Sequence, residues 1–306
     1  MPWYIENKAP LVLGHEPSGE IVRTGINVDF FKAGNRVFIH HHAPCMNCVF
    51  CRRGDYVQCS QWRRSGIIPG GISEYLRIPE GILKNDTLKL SDSMSYEDGT
   101  LVEPTACVVK SFRRSAIKKG DTVLVIGLGV MGILHILLAP HYGAEKVIGA
   151  DMNDFRLDKA MEAGASAVIN VDKESIQETI MSMTNGKGAD IVIAGPNSVE
   201  AVHNGFQCAA PGGTVVMFTP LRPDEALTLN ANDMYFKDIR LVPAYSCGPD
   251  DTREAFGLID QGIVSAEKLV THRYNIEETA KAYRKVASAG ESLKVLITFE
   301  NGGGGP

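Results

Sequence analysis

The chain lacks an apolar run of membrane-spanning length: its longest apolar stretch, residues 123–139, is broken by three glycines and by His135. A spanning helix needs about 20 consecutive apolar residues. It also lacks an apolar core near its start, where Met1, Pro2, Trp3 and Tyr4 are followed by Glu6 and Lys8, so no secretory signal is expected. Basic residues are not in excess: 31 Lys and Arg stand against 36 Asp and Glu, a net charge of −5. That balance leaves no electrostatic footprint for nucleic acid or for an anionic membrane surface. No internal repeat or long linker is visible. Cysteine is sparse except in one place, with four of the seven inside residues 45–59 and Cys107, Cys208 and Cys247 far apart. An odd number cannot all pair within one chain, and clustering of this kind favours a metal over disulfides. With 44% apolar and 22% charged residues, the expectation is a soluble, cytoplasmic, globular protein.

What is present suffices for two domains, since 306 residues can bury a sizeable core. Residues 11–90 read as short extended segments, at 19–22, 36–40, 72–78 and 87–90, between glycine- and proline-rich turns. This predicts a small β-rich domain. Near residue 118 the character changes. Strand-like runs at 122–126, 146–150, 167–170, 190–194, 214–218 and 239–242 alternate with helical stretches such as 155–163 and 175–183, which implies βαβ units and a parallel sheet. After Asp250 come helical patterns at 252–260 and 277–289 and a strand at 294–298; Asn275 suits a cap, and Glu277 and Glu278 suit a positive helix end. Pro140 should stop or bend the helical pattern over 130–142, because an interior proline costs ~3 kcal/mol. The tail from Gly302 to Pro306 reads as flexible or as a cloning remnant.

Gly127-Leu128-Gly129-Val130-Met131-Gly132 directly follows the 122–126 strand and opens a helical pattern. In that context the glycines provide a tight turn, close approach of backbone to a pyrophosphate, and close helix–strand packing. The helix start offers N–H groups to phosphate. Asp151 lies nineteen residues past Gly132, at the end of the next strand. A carboxylate there accepts from ribose hydroxyls and repels a 2′-phosphate, which favours NAD over NADP, although Arg156 nearby blurs the preference. Gly195, Phe218 and Thr219, at strand ends, complete the expected cofactor set of Gly127, Gly129, Val130, Met131, Gly132, Asp151 and Arg156. The competing reading is a glycine turn in a ligand-free α/β domain.

Cys45, Cys48, Cys51 and Cys59 form the second motif: two-residue spacings wrap three thiolates around one ion, and a later cysteine closes a tetrahedral shell. Four thiolates leave no open position, so this site would be a structural zinc whose binding energy is folding energy. An iron–sulfur cluster or free thiols are the alternatives. His40, His41 and His42 are read as surface or packing histidines, and Cys107, Cys208 and Cys247 as packing thiols.

Taken in order, Gly14-His15-Glu16, the four-cysteine loop, Leu101-Val102-Glu103-Pro104 and the glycine fingerprint resemble the zinc-dependent medium-chain dehydrogenase family, particularly its sorbitol and threonine dehydrogenase branch. The resemblance covers nearly the whole chain. It implies an α/β fold, a Rossmann doubly wound parallel sheet plus a β-rich GroES-like catalytic domain. Residues 1–115 would begin the catalytic domain, 116–249 would form the NAD-binding domain, and 250–306 would return to the catalytic domain and end in the tail. It also implies a catalytic zinc on His15 with a carboxylate from Glu16 or Glu103. The family's usual cysteine ligand, some tens of residues before Gly-His-Glu, has no counterpart here, because no cysteine precedes Cys45. The chain therefore reads as N-terminally shortened, with a sheet edge left exposed. His15, Glu16 and Glu103 together would supply the three protein ligands a catalytic zinc needs. Adjacent strand residues face opposite ways, so His15 and Glu16 can converge only if Gly14 turns the chain. Pro104 should hold Glu103 extended.

The function so implied is zinc- and NAD-dependent oxidation of a secondary alcohol or polyol to the ketone, with hydride passing to nicotinamide. The expected partners are a small-molecule alcohol or polyol and further copies of the chain, as a dimer or tetramer, with no nucleic acid and no membrane. The alternatives are an NAD-binding protein with structural zinc only, and a zinc-free enone or quinone reductase.

Overall fold

The computed structural model describes residues 9–299. The glycine tail and the first eight residues lie outside that range. Among the described residues, eleven strands fall into three sheets. β1 (Ser18–Glu20), β2 (Arg36–Ile39) and β3 (Thr87–Lys89) form an antiparallel sheet in that order, with β1 at its edge. One face of this sheet closes a small core around Val37, Ile39, Ala43, Ile67 and Ile82. The extended segment expected over 72–78 is not a strand; only an isolated bridge pairs Ile68 with Arg77.

The central unit is a six-stranded sheet of β4 (Thr122–Ile126), β5 (Lys146–Asp151), β6 (Ala167–Asn170), β7 (Ala189–Ala194), β8 (Ala209–Met217) and β9 (Arg240–Pro243). All five pairings are parallel and the order is β6-β5-β4-β7-β8-β9. This is the Rossmann doubly wound arrangement. The chain reverses direction of travel between β4 and β7, which opens a crevice at the carboxyl ends of those strands. Near-continuous apolar strands such as Thr122-Val123-Leu124-Val125-Ile126 suit a sheet covered on both faces, and Val123, Leu124 and Val125 are fully buried. The helix Val130–Leu138 stops two residues before Pro140, with Ala139 as its cap. The proline ring therefore never meets the helix interior, as its chemistry requires.

β10 (Val270–Asn275) and β11 (Lys294–Thr298) pair in parallel as a third sheet. Two helices hold the units together. Val102–Ser115 packs against Pro249–Asp260, and Arg113 at the end of the first pairs with Asp251 at 2.8 Å and with Glu254 of the second. Glu103 is not extended: it sits in the first turn of Val102–Ser115 with Pro104 beside it. The N–H that proline lacks would have no helical partner in a first turn, so the local preference against a helix before proline is overcome there.

Candidate functional site: a carboxylate–histidine cluster beside a dinucleotide cleft

The Gly14 turn builds the first cluster. Gly14 has φ +87°, a left-handed conformation, and a Cβ there would lie 2.8 Å from the Ile72 nitrogen. Only glycine suits both demands. The turn is fastened by the Gly71 and Ile72 N–H groups, which donate to the Gly14 and Leu13 carbonyls at 2.8 Å each. The chain past it is irregular, so His15 and Glu16 escape strand alternation and converge. Ligand atoms of His15, Glu16 and Glu103 all lie within 4.8 Å of one another. His15 Nε2 stands 3.9 Å from Glu103 Oε2; the histidine side chain is 59% exposed and the carboxylate 7%. One wall is therefore open and the other buried.

Charge around the cluster is uneven. Lys294, the first residue of β11, donates to the Glu16 carboxylate. Burial opposes ionisation of Glu16, but Lys294 and His15 outweigh it and hold its pKa below the ordinary value. Burial dominates at Glu103 and raises its pKa. A cation entering here would meet one carboxylate already ionised and another that burial makes avid for positive charge.

The histidine triplet, read as surface or packing residues, is packed, and two of its rings also come within ligand distance of Glu103. His40 is 0% exposed and its Nδ1 lies 2.6 Å from Asp86 Oδ2. His41 and His40 share a second potential ligand group with Glu103, again within 4.8 Å. Burial, then the neighbouring histidines, push the His41 pKa well down, so it stays neutral. Cys107 and Cys247 form a third group with Glu103, and Cys107 Sγ lies 3.5 Å from Glu103 Oε1. These two thiols pack in the core, as expected, and also lie beside the same carboxylate. The triplet's position at the exit of β2, a strand end, was the available signal.

Cys45, Cys48, Cys51 and Cys59 also converge within 4.8 Å. Sγ of Cys51 is 3.5 Å from that of Cys48 and 3.9 Å from that of Cys45. A tetrahedral ion with bonds of about 2.3 Å places its sulfurs about 3.8 Å apart, so the donor set fits zinc. Burial of Cys59 is outweighed by the Cys45 and Trp62 backbone N–H groups, which bring its pKa down to about 6, whereas burial pushes Cys51 up to about 12.

The dinucleotide motif lines a cleft of about 380 Å³ at the β4–β7 crevice. Gly127, Gly129, Val130, Met131, Gly132, Arg156, Gly195, Phe218 and Thr219, all expected there, line it with Pro196 beside Gly195, together with His135, Ser292 and Leu293, which were not expected. A Cβ on Gly132 would lie 2.0 Å from the Gly127 carbonyl oxygen, so helix and turn meet at bare backbone. Asp151 stands behind this wall, 7% exposed. Its Oδ2 accepts from the Leu128 N–H at 2.7 Å and its Oδ1 from the Asn153 N–H at 3.0 Å. Each oxygen keeps a further lone pair. Arg156 Nη1 is 3.7 Å from the same carboxylate. The cleft and the first cluster share a boundary: Leu293 lines the cleft, and the next residue, Lys294, holds Glu16.

Comparisons agree with this geometry. The Alcohol dehydrogenase GroES-like domain model matches residues 3–87 and the Zinc-binding dehydrogenase model matches residues 130–261. A sorbitol dehydrogenase of Halalkalibacterium halodurans is 33% identical over 294 residues, covering 95% of this chain and 84% of the relative. D-xylulose reductase A of Aspergillus oryzae is 30% identical over 296 residues, covering 95% and 81%. Among solved structures, 2R,3R-butanediol dehydrogenase of Bacillus subtilis superposes with TM-score 0.83 at 27% identity, covering 94% of this chain and 81% of that one. A Sinorhizobium meliloti protein described as a zinc-binding dehydrogenase and bound to NADP gives TM-score 0.84 at 27% identity, covering 95% and 84%. With its Rossmann sheet, its GroES-like unit and these relatives, the chain belongs to the zinc-dependent medium-chain dehydrogenases, in their sorbitol dehydrogenase-like branch.

Proposed function

We propose that the protein oxidises a secondary alcohol or polyol to the ketone, passing hydride to NAD. The observation that carries this reading is the 3.9 Å approach of His15 to Glu103 beside Glu16, in a cluster joined through Lys294 to the wall of the dinucleotide cleft. Zinc bound there would supply Lewis acidity toward the substrate oxygen. His15 and Glu103 would hold it, with Glu16, kept ionised and fixed in place by Lys294, beside them. Gly127, Gly129, Val130, Met131 and Gly132 would seat the pyrophosphate. Asp151 and Arg156 would take the adenosine ribose, and Gly195, Phe218 and Thr219 would take the nicotinamide. Thr219 Oγ1 donates to the Gly195 carbonyl at 2.7 Å, tying those two strand-end loops into one wall. In overall balance, the carbinol carbon loses hydride to nicotinamide and the hydroxyl proton leaves to solvent. Cys45, Cys48, Cys51 and Cys59 would hold a second, structural zinc.

The same reading divides the chain into 1–115 and 250–306 for the catalytic unit and 116–249 for the NAD-binding unit. The 249–260 helix supports that division by contacting the first segment, with Tyr56 donating to Asp250 at 2.7 Å and Thr252 to Asp86 at 2.5 Å. No helix among the described residues is long and apolar enough to cross a membrane. Assembly as a dimer or tetramer in the cytoplasm belongs to the same proposal, and the exposed Tyr235 and Phe236 offer apolar surface for it.

The test is NADH formation by the purified chain, loaded with zinc, against a panel of polyols and secondary alcohols. Turnover that His15→Ala abolishes while NAD still binds supports the reading. NAD binding with no turnover on any of them overturns it.

A further inference from the structure

The exit of β2 delivers three consecutive histidines to the underside of the Gly14 turn, and their engagements differ. His40 is committed: Nδ1 to Asp86 at 2.6 Å, with Nε2 3.6 Å from Cys247 Sγ. His42 reaches the Ser65 carbonyl through Nδ1 and lies against Trp62, ring centroids 4.5 Å apart. His41 packs edge-on against His15, with centroids 4.9 Å apart and planes at 72°. Its Nδ1 is buried and has no hydrogen-bond partner among the described residues.

A buried ring nitrogen left unpaired costs ~1–3 kcal/mol, and such atoms in folded chains call for a bound group or a strained role. Ligand chemistry supplies the explanation. Glu103 is common to two groups of converging donors, one with His15 and Glu16 and the other with His40 and His41. Since His40 is already engaged on both nitrogens, the free donor of the second group is His41. The two groups share one carboxylate, and the rings of His41 and His15 pack against each other edge to face at 4.9 Å.

We propose that His41 supplies, through Nδ1, a third protein ligand to the divalent cation held by His15 and Glu103, while Glu16 stays on Lys294 as the partner that fixes the loop. This rests on the reading that a cation binds at this cluster. The resulting set is two neutral imidazoles and one carboxylate with a position left for substrate, a donor set that suits catalytic zinc. It needs no thiolate. It also assigns different roles to the two glutamates: Glu103 contacts the ion and Glu16 orients the loop that carries His15.

Cobalt(II) exchanged into the full chain separates the sites by colour. Thiolate charge-transfer bands report the four-cysteine site, and ligand-field bands without them report a nitrogen–oxygen site. The wild type is expected to take up both ions. His41→Ala and His41→Gln should keep the thiolate bands, which shows the lobe is folded, and weaken the second ion at least about tenfold, on the scale seen when metal-site partners are removed. Second-ion affinity and ligand-field bands unchanged in both variants would overturn the proposal. His15→Ala, measured in parallel, separates the two ideas. If it loses the second ion while both His41 variants keep it, the cation stands and the His41 assignment falls. If the wild type takes up only the thiolate-bound ion, both fall together.

Discussion

His40 and Asp86 form an ion pair at 2.6 Å with side chains 0% and 1% exposed, and Thr252 donates to the far oxygen of Asp86 at 2.5 Å. The three residues come from the exit of β2, the entry to β3 and the helix Pro249–Asp260, so the pair ties the first segment to the returning one. Burial disfavours the imidazolium, but Asp86 outweighs it and raises the His40 pKa. Asp86→Ala leaves a buried histidine facing nothing and should cost ~3–5 kcal/mol in urea unfolding. A raised folded-state pKa contributes stability below the unfolded value and loses it as pH rises through the folded one. The advantage of wild type over Asp86→Asn should therefore shrink on raising pH above neutrality; a gap independent of pH would contradict the assignment.

The parts of the fold legible in sequence are those where one physical signal dominates. β4, β6 and β11 fall where apolar runs bounded by turn residues put them, and the glycine fingerprint lines the cleft. β10 was not legible. Val270-Thr271-His272-Arg273-Tyr274-Asn275 has no apolar run, and it is a strand only because β11 pairs beside it. The helix Val102–Ser115 was hidden by Pro104, a helix breaker everywhere except in the first turn. In the candidate site, Gly14-His15-Glu16 and Glu103 converge as their types suggested. His41 did not stand out, because four cysteines already accounted for a metal and nothing in a histidine triplet tells which ring ends against Glu103.

Gly132 tests the turn directly. Its missing Cβ would stand 2.0 Å from the Gly127 oxygen, and that atom is backbone, which cannot swing aside. Gly132→Ala should destabilise the fold by ~1–3 kcal/mol through overpacking. The helix start must also shift away from the turn, so the NAD dissociation constant, measured by calorimetry, should rise at least about tenfold. Near-native affinity in a folded variant would show that the phosphates do not sit on this turn.

On the proposed reading, Asp151 would select between dinucleotides by charge. Its two oxygens are pinned by the Leu128 and Asn153 N–H groups, so the carboxylate cannot turn away from an approaching 2′-phosphate, while Arg156 Nη1 lies 3.7 Å off and would welcome one. Asp151→Ser removes the repulsion and leaves the guanidinium. The ratio of kcat/KM for NAD over NADP should fall about tenfold or more, equivalent to ~1.4 kcal/mol. An unchanged ratio would remove Asp151 from the ribose site.

His135 gives the acid limb of stability one testable source. It is 1% exposed, its Nε2 lies 2.7 Å from Ser111 Oγ and its Nδ1 lies 2.7 Å from the Met131 carbonyl, so the ring is satisfied as the neutral form with Nδ1–H donating. Burial brings its pKa down to about 4, the Met131 carbonyl offsetting only part of that. The unfolded chain takes up a proton near the ordinary histidine value of about 6.5. Between these values the unfolded state binds a proton that the native state refuses, so stability is intact above the upper value and declines as pH falls through the window. At pH 5 that loss should be ~2 kcal/mol relative to neutral pH. His135→Gln can still bond to Ser111 but does not titrate. Its unfolding free energy should fall less steeply from neutral pH to pH 5 than that of wild type, by about that amount; parallel curves would mean that the buried imidazole is already charged, or that the ring is solvated.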